Sequence, residues 1–211
     1  MRSFIIIGHK AATEPFSLND LPGSAGRMDI LCRCVNAALF LSHDLRRDVR
    51  VYLILKGDPD PPKIIRFDGA DVRYLSPDER SAASLIRKAL GKKVQDFWTE
   101  SMPGVSIRRG DLGNLLGELG SKVTCLREDG VDIRSEGFKG ISMEPLFVLG
   151  DHLGLTEDEE KTIKGYEHEI VSVGPVSLHA DHCIVLLHNE MDRTAHGQGN
   201  IFRTQHIMRA R

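Results

Sequence analysis

The stretch PLFVLGDHLG, residues 145–154, is the most informative part of the sequence about the fold class. Its four consecutive apolar residues, Leu146–Leu149, run directly into Gly150. A short apolar run that stops at glycine is typical of a buried strand in a parallel α/β sheet. A second glycine-ended strand follows in SVGPVSLHADHC, residues 172–183. Ligands bind outside the carboxyl ends of parallel strands, and glycine lets backbone approach a ligand closely. The two stretches therefore predict one small-molecule pocket built from two loops.

The rest of the chain alternates between strand and helix patterns. Predicted strands cover Arg2–His9, Arg50–Leu55, Lys63–Phe67, Val72–Leu75, Val105–Arg108, Val123–Arg127, Val131–Arg134, Leu146–Leu149 and Glu169–Val173. Predicted helices cover Met28–Leu41, a segment capped by Ser76 and ending at Leu90, Asp111–Leu119, a segment with a capping box at Thr156–Glu159 that ends near Gly165, and Ala180–Asp192. The Asp129-Gly130 pair predicts a hairpin between two of these strands. The alternation indicates an α/β fold with a mainly parallel sheet, and we expect one domain over residues 1–211.

Composition excludes several classes of protein. The chain has 211 residues, is 41% hydrophobic and 27% charged, and carries a formal net charge of −2. Its longest apolar runs fall far short of a membrane span, and its N-terminus lacks the pattern of a signal peptide. The four cysteines do not form the disulfide framework of a small secreted protein. We therefore expect a cytoplasmic protein with no membrane partner.

The net charge does not indicate a nucleic-acid partner, but three local basic clusters are candidates for one. They are Arg46 with Arg47 and Arg50; Arg87 with Lys88, Lys92 and Lys93; and Arg108 with Arg109. Each cluster can be a solvated face balanced by nearby acids. Each can also contact an RNA backbone, provided that its side chains converge on one surface.

Two familiar kinds of site find little support. No GxGxxG motif follows the first strand, which argues against a dinucleotide-binding fold, because the glycine-ended strands here fall late in the chain. His179, His182 and Cys183 are zinc-ligand types. However, Cys32 and Cys34 would splay apart on a helix, and no CxxC pair exists, so we predict no metal site. Cys183 can act as a thiolate near a helix N-terminus or can simply pack, and we favour packing.

The segment SAGRMD, residues 24–29, enters the first predicted helix from a loop rich in Gly and Pro. A helix N-terminus favours anions, Arg27 offers a bidentate donor, and Asp29 offers an acceptor. The alternative is simple helix capping with a local ion pair. Asp58 and Asp60, in a proline-rich turn after a strand, are weaker candidates, and a plain turn explains them equally well.

The stretches 24–29, 145–154 and 172–183 carry a resemblance to the TrmY family of tRNA pseudouridine N1-methyltransferases, in the SPOUT (α/β-knot) superfamily. The resemblance covers essentially the whole chain and is strongest over residues 23–56 and 148–192. It implies a C-terminal trefoil knot, at about residues 144–195, that binds S-adenosylmethionine. It also implies a homodimer in which the 24–29 segment of one subunit faces the cofactor pocket of the other. The implied cofactor-binding residues are Leu149, Gly150, Gly174, Leu178 and Cys183, and the implied catalytic residues are Arg27 and Asp29.

The resemblance implies methyl transfer to N1 of a pseudouridine in the T-loop of tRNA, at nucleotide 54. Two alternatives stay open on the residues alone. One is a SPOUT relative that acts on a pseudouridine of ribosomal RNA. The other is a non-catalytic RNA-binding protein that has kept the knot.

Overall fold

The computed structural model describes residues 1–120, 122–136, 138 and 140–197. Within these residues, eight strands form one sheet in the order β4-β5-β3-β2-β1-β7-β6-β8. Their bounds are Arg2–Gly8 (β1), Val49–Leu55 (β2), Lys63–Asp68 (β3), Thr99–Met102 (β4), Val105–Arg109 (β5), Val123–Asp132 (β6), Leu146–Gly150 (β7) and His168–Ser172 (β8). The expected domain, 1–211, includes residues 198–211, which lie outside the described residues.

In the described part of the chain, five helices cover the two faces of the sheet. They are Met28–Leu39 (α1), Glu79–Leu90 (α2), Leu112–Leu119 (α3), Glu157–Lys164 (α4) and Ala180–Gly197 (α5). Because successive strand residues point to opposite faces, β1 contributes to two cores. Phe4 and Ile6 pack with residues of α1, α2 and α5, whereas Ile5 and Ile7 pack with residues of α3 and α4. The fold is a mixed α/β sandwich of three layers.

The sheet has a parallel half and an antiparallel half. Strands β8, β6, β7, β1 and β2 pair in parallel, whereas β3, β5 and β4 add antiparallel pairings at the other end. The carboxyl ends of the five parallel strands therefore meet along one edge, where the two glycine-ended stretches were expected to form a pocket. Among the described residues, no helix is long and apolar enough to cross a membrane.

The predicted hairpin at Asp129-Gly130 is wrong. Residues 123–132 form the single strand β6, and both Leu126 and Val131 align with Val171 of β8. The residues between them are an insertion in the ladder, a β-bulge. A Cβ atom on Gly130 would lie 2.5 Å from the backbone of Val171, so glycine permits this close approach. The Asp-Gly signal here marks a bulge rather than a two-residue turn.

Three smaller predictions also differ from the structure. The segment Val72–Leu75 is irregular rather than a strand, and the short strand β4 has no counterpart among the predicted strands. Helix α2 is capped by Asp78, whose side chain accepts a hydrogen bond from the backbone N–H of Ser81, rather than by Ser76. The capping box of α4, between Thr156 and Glu159, is confirmed.

Polar contacts join helix α5 to the opposite end of the chain. The Asp192 carboxylate accepts hydrogen bonds from Arg2 at 2.8 Å and from Arg46 at 2.7 Å. His188 is buried, with Nδ1 3.0 Å from an Arg2 nitrogen and Nε2 3.0 Å from the Ala38 carbonyl oxygen. Burial, together with the positive charges of Arg46 and Arg2, lowers the pKa of His188 to about 3. The ring is therefore neutral, with Nε2 donating, and it fixes α5 against α1 and β1.

Candidate functional site

A cleft of about 650 Å³ lies at the carboxyl ends of β6, β7 and β8. Its lining combines the end of β7 and the loop that follows, the bulge of β6, and the segment that joins β8 to α5. All five predicted cofactor-binding residues line this one cleft: Leu149, Gly150, Gly174, Leu178 and Cys183. The topology therefore brings together residues that are up to 34 positions apart in the sequence.

The loop after β7 turns back sharply on Gly150. A Cβ atom on Gly150 would lie 1.8 Å from the carbonyl oxygen of Gly154, so this position admits only glycine. Backbone hydrogen bonds fix the turn: the N–H of Asp151 donates to Ile7 at 3.0 Å, and that of Gly154 donates to Asp151 at 3.1 Å. The Asp151 carboxylate also accepts from the Leu153 N–H at 2.9 Å. The resulting wall of the cleft is backbone of defined shape.

The segment after β8 forms the facing wall. Gly174 has a φ of +153°, which is strained for other residues, and a Cβ atom there would meet no atom of the described residues within 4 Å. Val176 and Leu178 are large apolar residues that stay 66% and 40% exposed. The Cys183 thiol lies 4.0 Å from the Leu178 carbonyl oxygen. Burial raises the pKa of this thiol, so it is protonated at neutral pH and suited to packing.

The bulge of β6 adds an acidic wall that the sequence patterns did not reveal. Glu128, Asp129, Asp151 and Glu160 all line the cleft, together with Arg127. Arg127 donates to Asp129 at 2.6 Å and 2.9 Å and to Glu160 at 2.8 Å. Ser177 donates a hydrogen bond to Glu128 and so links the bulge to the segment after β8. A carboxylate-rich wall of this kind suits a ligand that carries positive charge.

Arg27 and Asp29 lie beside the cleft rather than in its described lining, although Ile30 on the same helix does line it. The Asp29 carboxylate is 6% exposed and accepts from Arg27 twice, at 3.1 Å, and from Arg33 at 3.0 Å. Burial disfavours the charged carboxylate, but these hydrogen bonds outweigh it and lower the pKa of Asp29. Asp29 is therefore ionised and fully engaged, while the Arg27 side chain remains 35% exposed.

The backbone at Arg27 is strained. Arg27 has φ 64° and ψ 31°, the left-handed conformation, which costs about 1–2 kcal/mol for a residue with a Cβ atom. The preceding Gly26 has φ 65°, and a Cβ atom there would lie 1.7 Å from the Lys10 carbonyl oxygen. Arg27 is the N-cap residue of α1, but its side chain makes no hydrogen bond that caps the helix. Of the two parts of the alternative explanation, helix capping and a local ion pair, only the ion pair with Asp29 is present. Strain of this kind concentrates at functional sites.

The remaining sequence candidates lie elsewhere. The Asp60 carboxylate accepts hydrogen bonds from the Arg109 guanidinium at 2.8 Å and 2.9 Å, and Lys63 Nζ lies 3.2 Å from Asp60 Oδ2. Hydrogen bonds from these two cations lower the pKa of Asp60 to about 2. The backbone oxygen of Asp58 accepts a hydrogen bond from Thr13 at 3.0 Å. Both residues thus have structural contacts outside the cleft. Among the residues that the structure describes, no group of three His, Cys, Asp or Glu side chains is placed to hold a metal ion.

In two of the three basic clusters, the arginine side chains form ion pairs with acidic residues of the same chain. Arg46 and Arg50 pair with Asp192 and Asp68, and Arg108 pairs with Glu118. In contrast, no ion pair to a described residue holds the side chains of Arg87, Lys88, Lys92 and Lys93, at the end of α2. The three lysines of this cluster are exposed.

Comparisons with known proteins agree with a small-molecule site in this cleft. A family model for SAM-dependent RNA methyltransferases matches residues 1–196, and the chain belongs to this family. The protein from Methanococcoides burtonii named tRNA (pseudouridine(54)-N(1))-methyltransferase is 58% identical over 202 residues, which cover 94% of this chain and 99% of its own. The protein of the same name from Methanocella arvoryzae is 52% identical over 195 residues, which cover 92% and 100%.

The fold is also found in a solved structure. The crystal structure of Archaeoglobus fulgidus Nep1 bound to S-adenosylhomocysteine superimposes with a TM-score of 0.63, covering 92% of this chain and 98% of that chain. The two sequences are only 16% identical, so this likeness concerns the fold. S-adenosylmethionine is the cofactor of the family to which the chain belongs.

The cleft fits that cofactor in size and chemistry. Its volume falls within the range of about 300–1,000 Å³ that is usual for small-molecule sites. Leu126, Leu149 and Val171 supply the apolar surface that an adenine ring requires, and the close turn at Gly150 offers backbone polar groups. The acidic wall suits a ligand with a sulfonium and an ammonium group.

Proposed function

We propose that the protein transfers a methyl group from S-adenosylmethionine to N1 of pseudouridine 54 in the T-loop of tRNA. The observation that carries the proposal is the cleft at the ends of β6, β7 and β8, which unites two glycine-dependent loops and an acidic wall. The names of the two archaeal relatives supply the nucleotide and the atom. Their identity of 52–58% extends over nearly the whole of each chain.

Within this proposal, Leu149, Gly150, Gly174, Leu178 and Cys183 form the cofactor-binding set. The two glycines bring backbone close to the ligand, because Gly150 permits a turn that any side chain would block. Leu149 and Leu178 contribute apolar contacts from opposite walls. Cys183 packs as a neutral thiol.

S-adenosylmethionine supplies, when bound, a methyl group activated by the sulfonium that can pass to nitrogen in one displacement. The protein must hold N1 of the base in line with that methyl group and allow its proton to leave. Orientation alone can contribute about 7–11 kcal/mol. Strong base catalysis is therefore unnecessary, and a carboxylate or water near N1 suffices.

Arg27 and Asp29 have separate roles in this account. Arg27 is partly exposed, and its backbone is strained. In the dimer proposed below, it engages the phosphate or base of the target nucleotide at the cleft of the other subunit. Asp29 is buried beneath Arg27 and holds its guanidinium in place through two hydrogen bonds. Because its pKa is lowered and its oxygens are engaged, Asp29 is a poor proton acceptor and acts through Arg27.

We further propose a homodimer. Four large apolar residues near the cleft and on α5 are between 40% and 66% exposed: Leu153, Val176, Leu178 and Val185. A second copy that covers them would bring its own Arg27 segment towards the cleft, as the family resemblance implies. Light scattering should give twice the 23.5 kDa chain mass, and Val185→Glu should shift the protein towards monomer. A wild-type monomer with full activity would contradict the dimer.

The cluster Arg87, Lys88, Lys92 and Lys93 is the proposed contact with the tRNA backbone. Within the described part of the chain, its side chains make none of the ion pairs that engage the other two basic clusters. An exposed aromatic residue, Phe97, follows Lys93 by four positions and is 65% exposed. An exposed aromatic ring close in sequence to such cations suits single-stranded or loop RNA.

Chain topology supports a trefoil knot at residues 144–195, as in the SPOUT fold. Strand β8 lies at the edge of the sheet, yet the next element, α5, packs against α1 over the middle of the sheet. The chain therefore crosses the carboxyl ends of β6 and β7 between these elements. A reduced, cytoplasmic setting agrees with four free cysteines and a tRNA substrate.

A pair of T-loop RNA hairpins tests the function. The two differ only at the target position, which is pseudouridine in one and uridine in the other. Methyl incorporation should occur only with pseudouridine, because uridine uses N1 for its glycosidic bond. Calorimetric titration with S-adenosylhomocysteine accompanies the assay, since a non-catalytic RNA-binding protein need not bind it. Equal methylation of both hairpins, or methylation at N3 or the ribose 2′-oxygen, would refute the assignment.

A further inference from the structure

His9, directly after β1, lies between two buried carboxylates. Its Nδ1 is 3.0 Å from Asp151 Oδ1, and its Nε2 is 3.0 Å from Glu159 Oε2. The side chains of His9, Asp151 and Glu159 are 10%, 2% and 6% exposed, so water contributes little to any of them. The three residues come from the end of β1, the loop after β7 and helix α4: His9 follows β1 directly, Asp151 follows β7, and Glu159 lies in α4.

The geometry assigns a charge to the ring. A neutral imidazole has one N–H, so one of its two contacts would set a nitrogen lone pair against a carboxylate oxygen. An imidazolium donates to both carboxylates and satisfies both contacts. Lys56 adds a second cation, with Nζ 2.6 Å from Glu159 Oε1. The cluster then holds two positive and two negative charges, which makes its burial tolerable.

The same carboxylates shape the cofactor loop. Asp151 lines the cleft and accepts hydrogen bonds from the backbone N–H groups of His9 at 2.8 Å and Leu153 at 2.9 Å. Glu159 accepts from the Thr156 N–H at 2.8 Å. One imidazolium thus holds both ends of segment 151–159, which carries the turn against which the cofactor is proposed to bind.

We propose that protonated His9 is a positioning residue that holds the 150–155 loop in its cofactor-binding shape. The proposal rests on the proposed function, because it takes the cleft to be the cofactor site. It predicts that affinity for S-adenosylhomocysteine falls when the ring loses its proton. The ring does not contact the ligand, and it acts through Asp151.

The pH range follows from the surroundings of His9. Burial disfavours the imidazolium, but hydrogen bonds and charge interactions with Asp151 and Glu159 outweigh it, so the pKa of His9 lies above its ordinary 6.5. Lys56, directly after β2, faces the cluster. His152 Nδ1 is 3.6 Å from Asp151 Oδ1, and the charge of Arg27 interacts with Asp151. The loop should therefore hold its shape at and below pH 6.5 and loosen as the pH rises through the pKa of His9.

The test combines calorimetry and NMR on the full chain. Dissociation constants for S-adenosylhomocysteine are measured from pH 6 to pH 9.5 for wild type, His9→Gln and His43→Gln. His43 is exposed and remote from the cleft lining, so its variant should follow wild type. His9→Gln should bind at least tenfold more weakly at pH 6.5. Its curve should keep only the pH dependence that comes from the amino group of the ligand itself.

NMR of the unliganded wild type gives a second, independent readout. The His9 ring should titrate above pH 6.5, and the amide signals of Asp151 and Leu153 should move with the same midpoint. Parallel binding curves for wild type and His9→Gln, or a ring that is neutral at pH 6, would overturn the proposal. If wild type bound no S-adenosylhomocysteine, the proposed function would fail, while the amide signals would still decide whether His9 shapes the loop.

Discussion

Replacing Gly150 with alanine should disable the cleft without unfolding the protein. The new methyl group would stand 1.8 Å from the carbonyl oxygen of Gly154 and 2.2 Å from its carbonyl carbon. Normal contact requires about 3.5 Å, so the turn must open by more than 1 Å. The obstacle is backbone that is tied to Ile7 and Asp151 by hydrogen bonds, and no flexible side chain can move aside to relieve it.

The expected loss follows from the cost of overpacking, which is about 1–3 kcal/mol. Since 1.4 kcal/mol corresponds to tenfold in affinity, Gly150→Ala should weaken binding of S-adenosylhomocysteine by about 5- to 150-fold. Calorimetric titration measures this loss, and thermal unfolding checks the fold.

Gly113→Ala in helix α3 is the matched control. A Cβ atom at Gly113 meets only ordinary contacts, at 3.5 Å and 3.7 Å, and alanine favours helix. Its affinity should equal that of wild type. If Gly150→Ala bound the ligand within threefold of wild type, the close-turn argument for the cofactor wall would be wrong.

Three further predictions concern catalysis, RNA binding and stability. Cys183→Ser should keep turnover within a few-fold of wild type, because the thiol is neutral and packs; loss of turnover with intact binding would require a chemical role. Lys92→Ala with Lys93→Ala should weaken tRNA binding and reduce its salt dependence by nearly two charges, whereas Lys164→Ala on α4 should not. Acid should destabilise the fold through His188, whose pKa of about 3 lies below its unfolded 6.5. The contribution of neutral His188 to the free energy of unfolding is present above pH 6.5 and is lost as the pH falls towards 3. Denaturant unfolding of His188→Gln should therefore show a smaller decrease in the free energy of unfolding on acidification.

Apolar spacing and capping residues were sufficient to predict six of the helices and strands. Helices α1, α3 and α4 and strands β1, β2 and β7 lie within two residues of their predicted bounds, because their apolar spacing and caps match their burial. The hairpin at Asp129-Gly130 failed for a tertiary reason. Leu126 and Val131 both align with β8, which is distant in sequence, and this pairing overrides the turn preference of two residues.

The site divides in the same way. That Gly150 and Gly174 line one cleft could be predicted, because Gly150 ends β7 and Gly174 lies two residues after β8, where parallel sheets bind ligands. His9 could not, because its partners Asp151 and Glu159 are 142 and 150 residues away and no spacing signals the contact. The sequence also could not show which basic clusters are engaged in ion pairs, because the pairing of Arg46 with Asp192 spans 146 residues.

Nucleoside mass spectrometry of tRNA, from cells with and without the gene, shows whether the protein methylates pseudouridine 54. Position 54 should carry 1-methylpseudouridine when the gene is present and unmethylated pseudouridine when it is absent. Reintroducing the wild-type gene should restore the methyl group, and the Gly150→Ala gene should restore little of it. An unchanged level of 1-methylpseudouridine at position 54 after loss of the gene would contradict the account.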